Sequence, residues 1–437
     1  MPGVSSFTFG SYSVDAARST VSFTYHVEFK YGITKRFTDR LYFQQVPADA
    51  WNKIPKAILD PTLQSLLLIL GLNYWCTFRT HNIRIAEFTL TRAQADFWNT
   101  LYVNGLAEFF YFMKIDWLDL IAFPFDDSAI APEPARFPRP TRALLLNGAG
   151  KDSILSAELL KVADAPFDFF SFAPTPAHSR IAKLVGATMI TVTRKHDPFL
   201  DIATEIFMVS RAYPSVSTFT FIATLLAELL GYNSIVFSNE QSADIGNLVY
   251  RGLPVNHQWC KSSAAEKLIN DYITRFITPD ISTSSLLRQW SEIEIVRRFV
   301  QYPQYLPYVT SCNSYFWLPR GVQLLQRRGY WCTRCPKCVF LFACFAAFLP
   351  KKELVSMFGA DLFTHKRLLP LFRQILGIEG FKPLDCVGEP EEIILAMQYA
   401  RRRGEYLNEP AMQLFEAHFP ASYDFVAIEQ KIVTQAL

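Results

Sequence analysis

The sequence predicts an α/β protein built on a parallel sheet, preceded by a small α+β domain and followed by a mainly helical part that carries a cysteine cluster. Three observations predict it. Short apolar strand patterns alternate with helical segments between residues 143 and 238, strictly alternating strand patterns are confined to the first third, and three cysteines sit within seven positions at 332–338. Strands that alternate with helices imply crossover connections, hence a parallel sheet with helices on both faces.

The 437 residues are half hydrophobic, 15% aromatic and 19% charged, with only 18 glycines, which excludes disordered and collagen-like chains. At about 150 residues per domain the length suggests about three domains' worth of structure. A net charge of +3 is too slight to argue for a nucleic-acid binder, and the Arg327-Arg328 and Arg401–Arg403 clusters read as solvated faces or phosphate contacts. The N-terminal Met1-Pro-Gly-Val-Ser-Ser-Phe lacks the pattern of a secretory signal, and the apolar runs Leu66–Leu72 and Val339–Leu349 are shorter than the ~20 residues of a spanning helix. The longer stretch Phe219–Phe237 carries Glu228 and Asn233 and reads as a buried helix followed by a strand. No membrane association and a cytoplasmic location are therefore expected. Eight cysteines are too few for a disulfide scaffold, so their clustering points to metal or chemistry.

In chain order, Val21, Phe23, Tyr25, Val27, Phe29 and Tyr31 alternate with polar residues, the period of a strand with one buried face. Phe7–Phe9 and Arg36–Phe43 read as its partners, and Leu63–Leu72 and Ala93–Phe112 as buried helices, giving an α+β domain over 1–122. Pro124, Pro132, Pro134, Pro138 and Pro140 exclude a helix or central strand, so 123–142 reads as a linker. Ala143–Asn147, Phe167–Ala173, Met189–Thr193 and Ser234–Ser238 are then the strands of an α/β domain over 143–300, and 301–437 forms the helical part.

Leu144-Leu-Leu-Asn-Gly-Ala-Gly-Lys-Asp-Ser153 passes from a buried strand through small residues into a helix. There, backbone N–H groups and the helix dipole meet an anion at close range. Lys151 adds a point charge, Asp152 is suited to Mg²⁺ or to capping the helix, and Ser153 to donating to a phosphate oxygen. The spacing is not that of a Walker A loop. The segment resembles the PP-loop of ATP pyrophosphatases, Ser-Gly-Gly-x-Asp-Ser, with Gly148 in place of the Ser and Ala149 in place of the first Gly. The resemblance implies an adenine nucleotide α-hydrolase-like core that cleaves ATP between the α and β phosphates and adenylates an oxygen, with Gly148, Ala149, Gly150, Lys151, Asp152, Ser153, Asn239 and Glu240 as nucleotide contacts.

Cys332-x-x-Cys335-x-x-Cys338 with Cys312 upstream supplies four thiolates, a donor set for a closed, structural Zn²⁺ site. Buried thiols without metal and an iron–sulfur cluster are the alternatives. Arg334 and Lys337 would offset thiolate charge. His257 is suited to carrying a proton and Lys261 to contacting a phosphate or carboxylate, while Cys386-Val-Gly-Glu389 joins a nucleophile and a carboxylate through a flexible glycine. Each of these also has a bland reading as an ordinary loop or turn residue.

Together and in this order the segments resemble the bacterial UDP-N-acetylmuramoyl-L-alanyl-L-glutamate epimerase family. The resemblance rests on Leu101–Phe109, Gly148–Ser153, Ser238-Asn-Glu240, Asn256-His-Gln258 with Lys261-Ser262, Trp331–Cys338 and Lys382–Glu389. It implies ATP, Mg²⁺, inversion at the glutamate α-carbon of UDP-MurNAc-L-Ala-L-Glu, a role in peptidoglycan synthesis, and a companion ligase that adds L-glutamate. Lys151, Asp152, Lys261, His257, Cys386 and Glu389 would then be the catalytic set, the last three handling protons. Three places depart from the family pattern: Asn73-Tyr-Trp-Cys76 ends in Cys rather than Lys, Cys260 replaces a small hydroxyl residue, and Ala212-Tyr-Pro-Ser-Val216 lacks an Asn-Gly-His. The competing readings are a ligase or nitrile-forming enzyme of the 7-cyano-7-deazaguanine synthase kind and a nucleotide-binding relative without turnover.

Overall fold

The computed structural model describes residues 3–131, 133–210 and 213–434. Pro132 of the proline-rich segment and Ala212 at the start of the departing segment Ala212–Val216 lie outside the described residues, as do Met1 and Pro2. Among the described residues there are eleven strands: β1 (Val4–Asp15), β2 (Thr20–Phe29), β3 (Thr34–Phe43), β4 (Ile83–Ile85), β5 (Ala143–Leu146), β6 (Phe167–Phe172), β7 (Met189–Lys195), β8 (Ser234–Phe237), β9 (Leu248–Tyr250), β10 (Leu253–Val255) and β11 (Ser282–Ser285). Nine form one mixed sheet in the order β11-β8-β5-β6-β7-β3-β2-β1-β4, and β9 and β10 make a two-stranded ribbon.

The N-terminal strands β1 to β4 belong to this same sheet. Antiparallel pairing of Arg40–Phe43 with Val192–Lys195 joins β3 to β7, so the N-terminal meander extends the sheet of the α/β region. The pairing satisfies backbone groups that an edge strand would otherwise expose. Periodicity announces a strand but not its neighbour.

By its contacts the chain divides into two compact units, each assembled from three segments: residues 1–144, 190–235 and 249–284 in the first, 145–189, 236–248 and 285–437 in the second. In the first unit the alternating residues of β2 bury Val21, Phe23, Tyr25 and Val27 completely, and Phe7 and Phe9 of β1 join them. The helix Lys56–Thr77 lies against β1 and against the helix Ser215–Leu230. At 22 residues it is long and apolar enough to cross a membrane, but 72% of its apolar stretch is buried within the fold. Its Thr62 hydroxyl donates at 2.7 Å to the buried Glu228 of the neighbouring helix.

The second unit carries the loop and the helices that the sequence places after 285. The helix Lys151–Val162 packs Leu155 against Leu287, Trp290 and Ile295, and the fully buried helix face of Pro336–Ala346 meets the helix Pro390–Arg402. Between β5 and β8 the strand order reverses, because the chain runs from β5 to β6 and β7 on one side and returns to β8 on the other. In open α/β sheets the crevice at such a reversal, at the carboxyl ends of the strands, receives ligands.

Candidate active site

Two predicted segments leave the carboxyl ends of the strands that flank this reversal. Asn147–Gly150 follows β5 and Ser238–Glu240 follows β8. The Asn147 side chain ties the loop down, accepting the Ala149 N–H at 2.9 Å and donating to the His178 carbonyl at 3.2 Å. Ala149 is held at φ +56°, in the left-handed region where glycine is favoured, and this is the position at which the PP-loop pattern has Gly. Gly150 has no room for a side chain, since a Cβ there would lie 2.9 Å from the Ser311 hydroxyl. Gly150 caps the helix Lys151–Val162, whose first turn holds Lys151, Asp152 and Ser153.

Lys151 is almost wholly buried and is ion-paired with Asp152 and with Glu292, itself 1% exposed. Burial alone would lower the ammonium pKa, but the Asp152 and Glu292 carboxylates outweigh it and hold it above the ordinary lysine range. Lys337, buried between two of the cysteines in sequence, pairs with the other oxygen of Glu292 at 3.3 Å. Burial again opposes its charge, and Glu292, Cys386, Asp152 and Glu240 raise it above the ordinary range. Glu392 supports this cluster from behind, accepting the backbone N–H of Glu292 at 2.5 Å and of Glu389 at 2.6 Å. Burial, then the nearby Glu292, pushes the Glu392 carboxyl up to about 8. Asn239 and Glu240 are both buried, and Glu240 Oε1 has no hydrogen-bond partner among the described residues.

The segment Lys382–Glu389 is part of the same unit. Lys382 pairs with Glu389 at 2.5 Å, Asp385 accepts from Asn313 and from the Cys386 N–H at 2.7 Å each, and Glu389 caps the helix Pro390–Arg402. Gly388 is required sterically, because a Cβ would fall 2.1 Å from Glu392 Oε2 and 2.7 Å from the Phe340 ring. Cys386 is half-buried and acts electrostatically on Lys337.

The sulfurs of Cys312, Cys332, Cys335 and Cys338 all lie within 4.8 Å of one another, and Cys332 Sγ to Cys338 Sγ is 3.7 Å. A tetrahedral ion with ~2.3 Å metal–sulfur bonds requires sulfurs ~3.8 Å apart, so the four thiols fit a zinc ion. Cys312 and Cys338 are fully buried and the other two half-buried, the closed arrangement of a site without an open position. The Cys332 N–H donates to Cys312 Sγ at 3.3 Å, as backbone amides do toward thiolate sulfur.

The remaining predicted residues belong to the first unit. His257 Nδ1 lies 2.7 Å from Glu108 Oε2. Both sit in the predicted segments, yet 149 positions apart, and nothing in the sequence pairs them. A carboxylate on one ring nitrogen orients the imidazole and supports its charge during a proton transfer. The turn Trp259–Lys261 brings Lys261 Nζ to 3.3 Å from Gln258 Oε1, and Ser262 caps the helix Ser263–Phe276. Gly105 lies against Pro214, of the departing segment Ala212–Val216, and against Trp259, next to Cys260: a Cβ would be 3.0 Å from Pro214 and 3.5 Å from Trp259. Cys76 is completely buried, and burial pushes its thiol well above the ordinary range. Arg79, one turn further on, donates to the Cys76 carbonyl at 2.7 Å and stacks over Phe109 at 5.6 Å.

Sequence reading did not find Glu292, Lys337 as an anion-site residue, Glu392 or Glu108. Glu292 opens the helix Glu292–Phe299 and belongs to none of the motifs read from the sequence, while Lys337 reads as a counter-charge to thiolates. Only the fold brings them to the loop and to His257.

The MurL N-terminal domain matches residues 1–286 and the MurL C-terminal domain residues 308–428. A UDP-N-acetyl-alpha-D-muramoyl-L-alanyl-L-glutamate epimerase from Micromonospora is 31% identical over 409 residues, covering 93% of this chain and 89% of its own. The enzymes of that name from Salinispora tropica and Xanthomonas oryzae pv. oryzae are 30% and 32% identical, covering 93% and 82% of this chain and 87% and 78% of theirs. No solved structure gives a significant match. With both domains matched in order and relatives similar across most of its length, the chain belongs to the MurL family of UDP-N-acetylmuramoyl-L-alanyl-L-glutamate epimerases.

Proposed function

We propose that the protein inverts the terminal L-glutamate of UDP-MurNAc-L-Ala-L-Glu to D-glutamate for peptidoglycan precursor synthesis, using ATP to adenylate the glutamate α-carboxylate. The observation that carries the ATP requirement is the buried Lys151 at the start of a helix, after a left-handed residue, at the strand reversal. Such a site holds a pyrophosphate-sized anion with backbone N–H groups, a helix N-terminus and a lysine.

The chemistry follows from charge. Removing the α-proton beside a free carboxylate would place a second negative charge next to the first. A carboxylate oxygen attacks the α-phosphorus, pyrophosphate leaves, and the acyl adenylate carries no charge at that carboxyl. A base then takes the α-proton, an acid returns one to the opposite face, and water attacks the acyl carbon to release AMP and the epimerised carboxylate. His257, held by Glu108, and Cys386, with Glu389 beside it in sequence, are the proposed proton carriers. Lys151 and Ser153 would hold the departing pyrophosphate, Asn239 the nucleotide, and Lys261 a substrate carboxylate or phosphate. Asp152 and Glu240 would hold Mg²⁺, which neutralises phosphate charge when bound. The four cysteines would hold Zn²⁺ as a structural ion. A ligase that adds L-glutamate to the UDP-MurNAc-alanine precursor would supply the substrate.

The test is incubation with ATP, Mg²⁺ and UDP-MurNAc-L-Ala-L-Glu, followed by chiral analysis of the glutamate after hydrolysis and by assay of AMP and pyrophosphate. D-glutamate together with AMP is expected. AMP with only L-glutamate would assign the activation to another acceptor, and D-glutamate without ATP would exclude adenylation.

A further inference from the structure

The four-cysteine centre and the phosphate loop are joined in the second unit by two independent paths. One runs through the segment 309–312. Thr310 donates its N–H to the Ala149 carbonyl at 3.3 Å and its hydroxyl to the Tyr330 carbonyl, and its oxygen accepts the Cys312 N–H at 3.3 Å. Ser311 fills the space against Gly150. The residue that braces the left-handed turn of the loop is thus two positions from one cysteine and hydrogen-bonded two positions before another. The second path is Lys337. It stands between Cys335 and Cys338 in the first turn of the helix Pro336–Ala346, and its ammonium shares the Glu292 carboxylate with Lys151. Lys151, Lys337 and Glu292 are exposed by only 1%, 8% and 1%.

We propose that Lys337 is a second cation of the anion site at the phosphate loop, with Glu292 holding the two lysines apart and aligned, and that the cysteine centre positions both Lys337 and the loop. The inference rests on the reading of the loop as a pyrophosphate site. A buried carboxylate between two lysines preorganises two positive charges at one place, whereas a lone stabilising ion pair needs only one of them. One ion held by cysteines that include Cys335 and Cys338, on either side of Lys337, would fix the backbone from which this long side chain projects.

The experiment measures inorganic pyrophosphate binding by titration calorimetry, with metal content and melting temperature recorded for every protein. Lys337→Ala and the length-preserving Lys337→Gln are expected to weaken pyrophosphate binding about tenfold or more, as loss of a charge-assisted contact does. Lys337→Arg should recover part of the affinity, and Arg334→Ala, on the exposed side of the same segment, should leave it unchanged. Protein stripped of metal by a chelator should lose affinity similarly, and Lys337→Gln should add little to that loss. Parent-like pyrophosphate binding by Lys337→Gln while Lys151→Ala loses it would overturn the role of Lys337. Parent-like binding by stripped protein would overturn the positioning by the cysteine centre. Parent-like binding by Lys151→Ala as well would instead overturn the reading of the loop.

Discussion

Lys151 is the residue on which the proposed first step depends. Replacing it with Ala removes a preorganised charge and leaves Glu292 buried without its closest cation, so AMP formation should fall about 30-fold or more, a loss of ~2 kcal/mol in transition-state stabilisation. An unchanged rate in steady-state assays would dissociate the loop from the chemistry. Glu228 is a buried group with a different consequence. Burial pushes its carboxyl up to about 8, against the opposing effects of the Thr62 hydrogen bond and of Arg139. The folded state therefore keeps a proton that the unfolded chain releases above pH ~4.5. Its contribution to stability is greatest at low pH and is lost as pH rises from ~4.5 to about 8. Glu228→Gln should flatten the dependence of melting temperature on pH between 5 and 8 relative to the parent, which thermal melts at the two limits will read.

At the scale of elements, the phosphate loop and the cysteine segment each make a prediction. Ala149 occupies a left-handed conformation that costs an L-residue roughly 1 kcal/mol, so Ala149→Gly should preserve stability and AMP formation. Ala149→Val adds a branched side chain at a completely buried position and should lower the melting temperature and the rate of AMP formation, the overpacking costing about 1–3 kcal/mol. If the valine variant melts and turns over as the parent does, the loop conformation is not what the pattern requires. One zinc per chain is expected by elemental analysis, and Cys332→Ser or Cys338→Ser should abolish it. These elements were legible in the sequence as a strand, a small-residue turn and a Cys-x-x-Cys spacing. The loop's brace by Thr310 was not, because a hydrogen bond between a turn at 149 and a turn at 310 leaves no periodic signal.

For the whole molecule, the proposed turnover is a sequence of two separable events, activation of a carboxylate and exchange of a carbon-bound proton. In D₂O the epimerised glutamate should carry deuterium at its α-carbon, and only when ATP is present. His257→Gln, Glu108→Gln and Cys386→Ser should slow this exchange more than they slow AMP formation, since these residues are assigned to the second event. Mass spectrometry of the glutamate together with nucleotide assay distinguishes the two. Equal loss of both activities in His257→Gln would return that residue to a role in substrate binding. The residues proposed for the two events lie in different units, His257 and Glu108 in the first, Lys151 and Cys386 in the second. Each unit is assembled from three stretches of chain, so neither set is contiguous in sequence.

The sequence by itself determined what depends on local spacing. Alternation set the buried face of β2, prolines kept the described residues of 123–142 free of helix and strand, the run Leu144–Ser153 specified a strand, turn and helix start, and cysteine spacing pointed to the four-sulfur group. It also carried the family resemblance, which is a matter of motif order. Only the tertiary structure decided which strand lies beside which, so that β3 pairs with β7 and the N-terminal meander joins the larger sheet. It alone paired His257 with Glu108 and placed Glu292 between Lys151 and Lys337. The physical reason is that local patterns record burial and backbone preference one residue at a time. Pairing of distant charges and strand edges is decided by the shared desolvation and hydrogen-bonding of groups that meet only once the chain has folded.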